Sequence, residues 1–226
     1  MKNFWKKTLW AALLTAAFTL NAGCGSQDDT TSSANSTTAD TSVSDSADES
    51  SASLASDGYT YSVNDDGTIS ISGYTGTETD LNLPSTLDGY VVSAIDDHAF
   101  EANWELTSIT LPSGLTSIGE GAFMDCTALT SISIPETVSQ IDRAAFASCT
   151  ALTSIVIPSS VTAILEEAFT GCTSLTSLTI ANANLEYDSW GLIESGENLS
   201  CTIICPSGSA IESWAQENGF DTEVLS

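Results

Sequence analysis

Basic residues are nearly absent from this chain. Of its 226 residues, 4 are Lys or Arg and 30 are Asp or Glu. Lys2, Lys6 and Lys7 stand in the first seven positions, and Arg143 is the one basic residue after them. No Asp or Glu precedes Asp28, so the chain beyond the N-terminal segment carries 1 − 30 = −29 formal charges. Such a surface repels phosphate, which argues against nucleic acid and anionic lipid headgroups as partners. Histidine is equally scarce. His98 is the only one, so a Ser-His-Asp triad would have to use it, and no G-x-S-x-G string accompanies it. It reads as an exposed turn residue beside Asp96 and Asp97. No Gly-rich phosphate-cradling loop occurs. "NDDG" at 64–67 lacks the twelve-residue spacing and final Glu of a calcium loop. Carboxylate pairs such as Asp65-Asp66 and Glu166-Glu167 are ordinary in a chain this acidic. The constellation that catalysis needs is missing, so a non-catalytic protein without a cofactor or metal is expected.

Long apolar runs are also missing, with one exception at the start. "MKNFWKK" is followed by "TLWAALLTAAFTL", an apolar run of signal-peptide length and too short for a comfortable membrane span. Ala22-Gly23-Cys24 resembles the end of a bacterial lipobox, with Asn21 standing where that motif usually has Leu. The resemblance implies a signal peptide over 1–23, with Cys24 lipidated as the mature N-terminus. The protein would then be exported and lipid-anchored at the bacterial cell surface, or secreted if Cys24 stays unmodified. Ser26 to Ser56 is almost only Ser, Thr, Ala and Asp and has no aromatic residue. It cannot bury enough apolar area to offset its ordering entropy. Residues 24–57 are therefore expected to form an acidic, disordered tether, whose flexible reach is roughly 30 Å.

What the chain has in abundance is self-similarity. "EGAFMDCTALTSISIPETV" begins at Glu120, "RAAFASCTALTSIVIPSSV" at Arg143 and "EEAFTGCTSLTSLTIANAN" at Glu166. Ile95, Ile118, Ile141 and Ile164 are spaced by 23, as are Phe100, Phe123, Phe146 and Phe169. Leu106, Leu129, Leu152 and Leu175 keep the same step, as do Ile109, Ile132, Ile155 and Leu178. A fixed period in the twenties means a solenoid. In "LTSISI" the last apolar residues alternate in and out, as a short strand does. Pro135 then ends the strand by denying it a ladder donor. Ala145 and Phe146 are expected to pack inside on a short helical turn. One coil cannot bury its own apolar edge, so each copy is the wall for the next.

The "AF…C…L-T-S-I-x-I-P" string resembles the BspA-type leucine-rich repeat of bacterial surface proteins. That resemblance implies surface display and adhesion or protein binding, with no catalytic residues to carry over. The first unit departs at Asn103, which replaces the Cys, and the last at Ala181, which replaces the Pro. The expected fold is an α/β-type solenoid over 92–184, with 23-residue coils, short parallel strands on one face and short helical turns opposite. An N-terminal hairpin cap is expected over 58–91, from "YTYSVNDDGTISISGY", and a C-terminal capping region over 185–226. There Ile211, Trp214 and Ala215 share one helical face, with Gly219 as a stop.

Cys126, Cys149 and Cys172 occupy one column and read as buried structural thiols, or as one bridged pair with a thiol left over. A linear ladder does not converge on zinc. Cys201 and Cys205 lie roughly 13 Å apart on an extended strand and cannot bridge each other. Outward strand positions hold Ser108, Thr110, Ser131, Ser133, Ser154, Val156, Ser177 and Thr179. They form one small-residue surface, the candidate binding face. Hot spots are typically Trp, Tyr or Arg, and this face has none in the middle coils. Tyr90, Trp104, Tyr187 and Trp190 are candidate aromatic anchors near the ends. Trp104 is not demanded by the repeat. The partner would be a host or microbial surface macromolecule, bound by a monomer. The rival expectation is a structural or spacer lipoprotein of the envelope with no specific ligand.

Overall fold

The computed structural model describes residues 54–187, 189–194, 197–198 and 200–225. The signal segment, Cys24 and the tether up to residue 53 lie outside the described residues. Strands β1 (Leu54–Ser56), β2 (Tyr59–Val63) and β3 (Ile69–Tyr74) open the structure as an antiparallel meander. β1 falls inside the stretch expected to belong to the tether. Asp57 and Gly58 both have positive φ, which gives the tight turn that folds β1 back on β2. β4 (Asp80–Asn82), β5 (Thr86–Leu87) and β6 (Tyr90–Ile95) follow. β5 and β6 form a second small hairpin around Asp88-Gly89, again both at positive φ.

From here two parallel ladders run side by side. The first takes β6 through β8 (Ser117–Ile118), β10 (Gln140–Ile141), β12 (Ala163–Ile164) and β14 (Glu186–Tyr187). The second runs from β4 through β7 (Ser108–Thr110), β9 (Ser131–Ser133), β11 (Ser154–Ile157), β13 (Ser177–Ile180), β17 (Thr202–Cys205) and β18 (Asp221–Val224). A short antiparallel pair, β15 (Ile193–Glu194) and β16 (Glu197–Asn198), lies between β14 and β17 in the chain. The register repeats the period: Ser108, Ser131, Ser154 and Ser177 are partners in turn, as are Ser117, Gln140 and Ala163. The coil from Asp80 to Ser108 is longer by the five residues that include the β5 hairpin.

The expected α/β character is corrected. The "AF" segments are not helical turns, and α1 (Ala210–Glu217) is the single α-helix among the described residues. In the turns every second amide points along the solenoid to the next coil. Phe100 donates to Ala122 at 2.8 Å, Phe123 to Ala145 at 2.9 Å and Phe146 to Ala168 at 2.9 Å. An α-helix needs those amides for its own carbonyls, so the turn edge becomes a third hydrogen-bonded ladder. Two left-handed residues per coil enforce this. They are His98, Gly121, Ala144 and Glu167 in one column, and Ala102, Asp125, Ser148 and Gly171 in the other. Non-glycine residues pay for that conformation. At Gly121 a Cβ would come within 2.6 Å of His98 Nδ1, so a side chain there would have to displace that exposed imidazole as well as adopt a positive φ. Ala144, at φ 52°, has no such need for a side chain. Ala144→Gly is expected to stabilise the domain by about 1 kcal/mol, read as a higher denaturation midpoint. The same substitution at Ala145, which is buried, should lower it.

The interior is filled by the predicted columns. Ile118, Ile141, Ile164, Phe123, Phe146, Leu129 and Leu152 are fully buried. The four phenylalanines stack with centroids 5.3, 5.5 and 5.9 Å apart and planes within 9°. Pro112, Pro135 and Pro158 each follow a strand and accept a turn hydrogen bond from Leu115, Val138 and Val161. Where Ala181 replaces the Pro, its amide donates to Ile157 at 3.0 Å. The departure thus restores the ladder bond that proline withholds.

The coils also run past residue 184, into the stretch expected to be cap. β17 pairs with β13 and β18 with β17, at steps of 25 and 19 residues. α1 forms over the expected residues, capped by Ser209, whose hydroxyl accepts from Glu212 N. It buries Ile211 and Ala215. It connects β17 to β18, so the last strand, and not the helix alone, closes this end of the second ladder.

Candidate binding surface

The outward face of the second ladder is continuous over seven strands. One column runs Asp80, Ser108, Ser131, Ser154, Ser177, Thr202 and Asp221. The next runs Asn82, Thr110, Ser133, Val156, Thr179, Ile204 and Glu223. The inward neighbours Ile109, Ile132, Ile155 and Leu178 are buried, which fixes the alternate residues outward. Thr110, Ser131, Ser133, Ser154 and Val156 are exposed, while Ser108, Ser177 and Thr179 are half-buried. All eight predicted strand positions thus share one face. Asp80, Asn82, Asp221 and Glu223 were not anticipated. They place carboxylates at both ends of a hydroxyl surface that has no charge in its middle coils.

Two other predicted aromatics sit elsewhere. Trp190 is only 2 % exposed and packs on Tyr187 and Trp214, with centroids 5.2 and 5.0 Å away. It seals the C-terminal end of the core and is not a surface anchor. Trp104 is exposed, but it belongs to the turn edge of the first coil, beside the cap, and not to the strand columns.

The hydroxyls and thiols flanking the face are occupied within the fold. Thr130 Oγ1 donates to Thr107 O at 3.1 Å, Thr153 to Thr130 at 3.4 Å and Thr176 to Thr153 at 3.1 Å. The cysteine column does the same inside. Cys126, Cys149 and Cys172 donate through Sγ to the carbonyls of Phe100, Phe123 and Phe146, at 3.1, 3.2 and 3.1 Å. Each of these carbonyls also accepts a backbone amide, from Asn103, Cys126 and Cys149 in turn, so the small buried thiol adds a weak second bond to it. Burial pushes the Cys126 thiol up to about 12 and that of Cys149 higher still. These are structural groups, not nucleophiles, whose thiols are lowered. Cys201 and Cys205 are buried as unbridged thiols. His98 stands exposed at its turn, with Nδ1 3.0 Å from Glu101 Oε2.

Arg143 stands at the centre of an acidic turn column. Glu167 lies 2.8 Å from its guanidinium, Glu120 3.7 Å and Glu166 4.0 Å. All are about half exposed, so water screens the pairs and each contributes little stability. Among the described residues no three His, Cys, Asp or Glu side chains converge as metal ligands, and no helix is long and apolar enough to cross a membrane.

Parallel coils of this length, with inward Leu and Ile columns and a short strand in each, define a leucine-rich repeat solenoid. The family model for the BspA-type leucine-rich repeat region matches residues 93–219 as six copies, and the chain belongs to that family. A leucine-rich repeat protein from Bacteroides capillosus is 29% identical, with a TM-score of 0.52, over 57% of this chain and 97% of that one. A leucine-rich cell surface protein from Faecalibacterium prausnitzii is 30% identical, with a TM-score of 0.57, over 79% of this chain. This chain spans about half of that protein, 48% of its length. A T. pallidum leucine-rich repeat protein shares the fold at 22% identity, with a TM-score of 0.52, over 76% of this chain and 98% of that one. No curated protein matches the chain. None of these similarities brings a catalytic family with it.

Proposed function

We propose that the chain is an exported, lipid-anchored surface module that binds a protein or other macromolecule of a host or microbial surface through the Ser/Thr face, without catalysis. One observation carries the reading: a solvent-facing strand surface continuous over seven rungs, in a family whose copies make such surfaces by stacking. The similarity to a cell surface protein supports the location. Cys24 is the proposed lipidation site, and mass spectrometry of the mature N-terminus tests it: an unmodified N-terminus elsewhere returns the protein to the secreted class.

The face has its own test. Ser131→Lys combined with Ser154→Lys puts two ammonium groups on adjacent rungs without touching the core. Capture of surface extracts by the full chain is expected to fall at least tenfold. Ser113→Lys, in an exposed turn, adds charge elsewhere and should leave capture intact. Equal capture by both variants would count against the face. It would favour the spacer reading, which the lack of Trp, Tyr and Arg on this face in the middle coils supports.

A further inference from the structure

The repeat supplies its own control for what the fold requires, and the first coil departs from it in a cluster. Met124, Ala147 and Thr170 occupy one turn column, where the first coil has Glu101. Thr127, Thr150 and Thr173 occupy another, where it has Trp104, and Ala128, Ala151 and Ser174 a third, where it has Glu105. Later coils build the same turn without an aromatic or a carboxylate in any of these columns. Trp104 is not there for packing either. It is 67 % exposed, the most of any large apolar side chain among the described residues.

These residues border a depression of about 360 Å³ where the cap leaves the first coil. Tyr74, Gly76, Glu101, Asn103, Trp104 and Glu105 line it. The Tyr74 hydroxyl donates to Glu78 across an exposed turn, which directs the phenol's proton away from a ligand. The lining is therefore aromatic and acidic and includes no basic side chain; His98 Nδ1, outside it, faces Glu101 Oε2 at 3.0 Å, which leaves Glu101 Oε1 and the Glu105 carboxylate as acceptors. An anion is repelled there, while a cation gains from both the indole quadrupole and the carboxylates. The net charge of the chain steers in the same direction.

We propose that this depression, between Tyr74, Glu101, Trp104 and Glu105, holds the guanidinium or ammonium group of an Arg or Lys side chain presented by a basic segment of a protein partner. The site stands on its own geometry at the turn edge and does not need the Ser/Thr face to bind anything. Failure at either place leaves the other untouched.

The test uses the full chain labelled with ¹⁵N at its tryptophan indoles, in 0.15 M salt. The Trp104 resonance is identified by its loss in Trp104→Phe. The probe is a five-residue peptide with one central Arg between Gly and Ser. Its control carries citrulline, a neutral isostere, in the Arg position. A single charge is used because a polycation would adhere anywhere on so acidic a protein. The Arg peptide is expected to shift the Trp104 indole saturably and the citrulline peptide to leave it in place. Trp104→Ala, and separately Glu101→Gln with Glu105→Gln, are expected to weaken binding about tenfold. Trp104→Phe should keep part of it. An indole unmoved by the Arg peptide, or moved equally by citrulline, overturns the proposal, as does undiminished binding to Trp104→Ala. Equal affinity for the peptide and for free arginine amide overturns the assignment to a protein partner. A neutral disaccharide that shifts Trp104 when the Arg peptide does not makes the site one for sugar.

Discussion

Phe146→Ala is expected to remove about 3–5 kcal/mol of stability. Phe146 is fully buried and stacks on Phe123 at 5.5 Å and Phe169 at 5.9 Å, with planes 1° and 5° from parallel. Its deletion loses the ring's transfer energy, leaves a cavity between two coils and ends both stacking contacts, which add about 0.5–1.5 kcal/mol per pair beyond area. A domain of this size has roughly 5–15 kcal/mol in total, so a fifth or more goes. The location within the column matters. Phe100 meets Tyr74 at 6.1 Å and a tilt of 38° on its outer side, so Phe100→Ala breaks one well-stacked pair and not two. Leu keeps most of the ring's apolar volume at this site and leaves a smaller cavity. Phe146→Leu should therefore cost clearly less than Phe146→Ala. Urea unfolding of the full chain followed by circular dichroism measures all three. In a solenoid each coil is held by its neighbours, so Phe146→Ala should also broaden the transition or divide it in two. A loss below 1 kcal/mol would mean that the windings do not share one interior.

Columns were legible in the sequence because repetition is its own control. Four phenylalanines at one spacing leave no freedom about which side faces in, and Ile109, Ile132 and Ile155 place the strand. The strand face follows from the alternation, and the eight positions share one side of the ladder. The turn edge was not legible. "RAAFASC" has the composition of a helix, and its breaks lie at Ala144 and Ser148, both at positive φ. Only Gly121 and Gly171 mark those columns openly. The first ladder was missed because its strands, such as Ser117–Ile118, are two residues long and show no alternation. At the ends, steps of 28, 25 and 19 residues between partners break the period. That hid Asp80, Asp221 and Glu223 from the face. The two hairpins were there to be found: Asp57-Gly58 and Asp88-Gly89 are the strongest short-range hairpin signal there is. Trp104 was conspicuous as a departure, but sequence alone does not say whether such a residue fills a cap or faces water.

Raising the pH from 8 to 10 is expected to cost the fold about 3 kcal/mol through two thiols. Cys126 and Cys149 have no exposed surface, and burial pushes both well above the ordinary value of 9.0. An unfolded chain ionises them near that value. The unfolded state then sheds protons that the folded state keeps, so stability falls as pH rises. The loss begins near 9 and, for Cys126, stops near 12. At pH 10 it amounts to about 1.4 kcal/mol for each thiol. Cys201, pushed up to about 11 by burial, adds in the same direction. The window is clean because the described residues contain no lysine. Tyr59, raised to about 12 mainly by burial, begins to contribute only above the ordinary tyrosine value near 10. Cys149→Ala removes one of these titrating groups. It should lower stability at pH 8, through the lost packing and the lost Sγ bond to the Phe123 carbonyl, yet fall less steeply between pH 8 and 10. The slope separates the thiol's ionisation from its packing. A variant whose stability falls as steeply as the parent's would show that the thiolate is admitted to the fold, and the cysteine column would then be open to solvent.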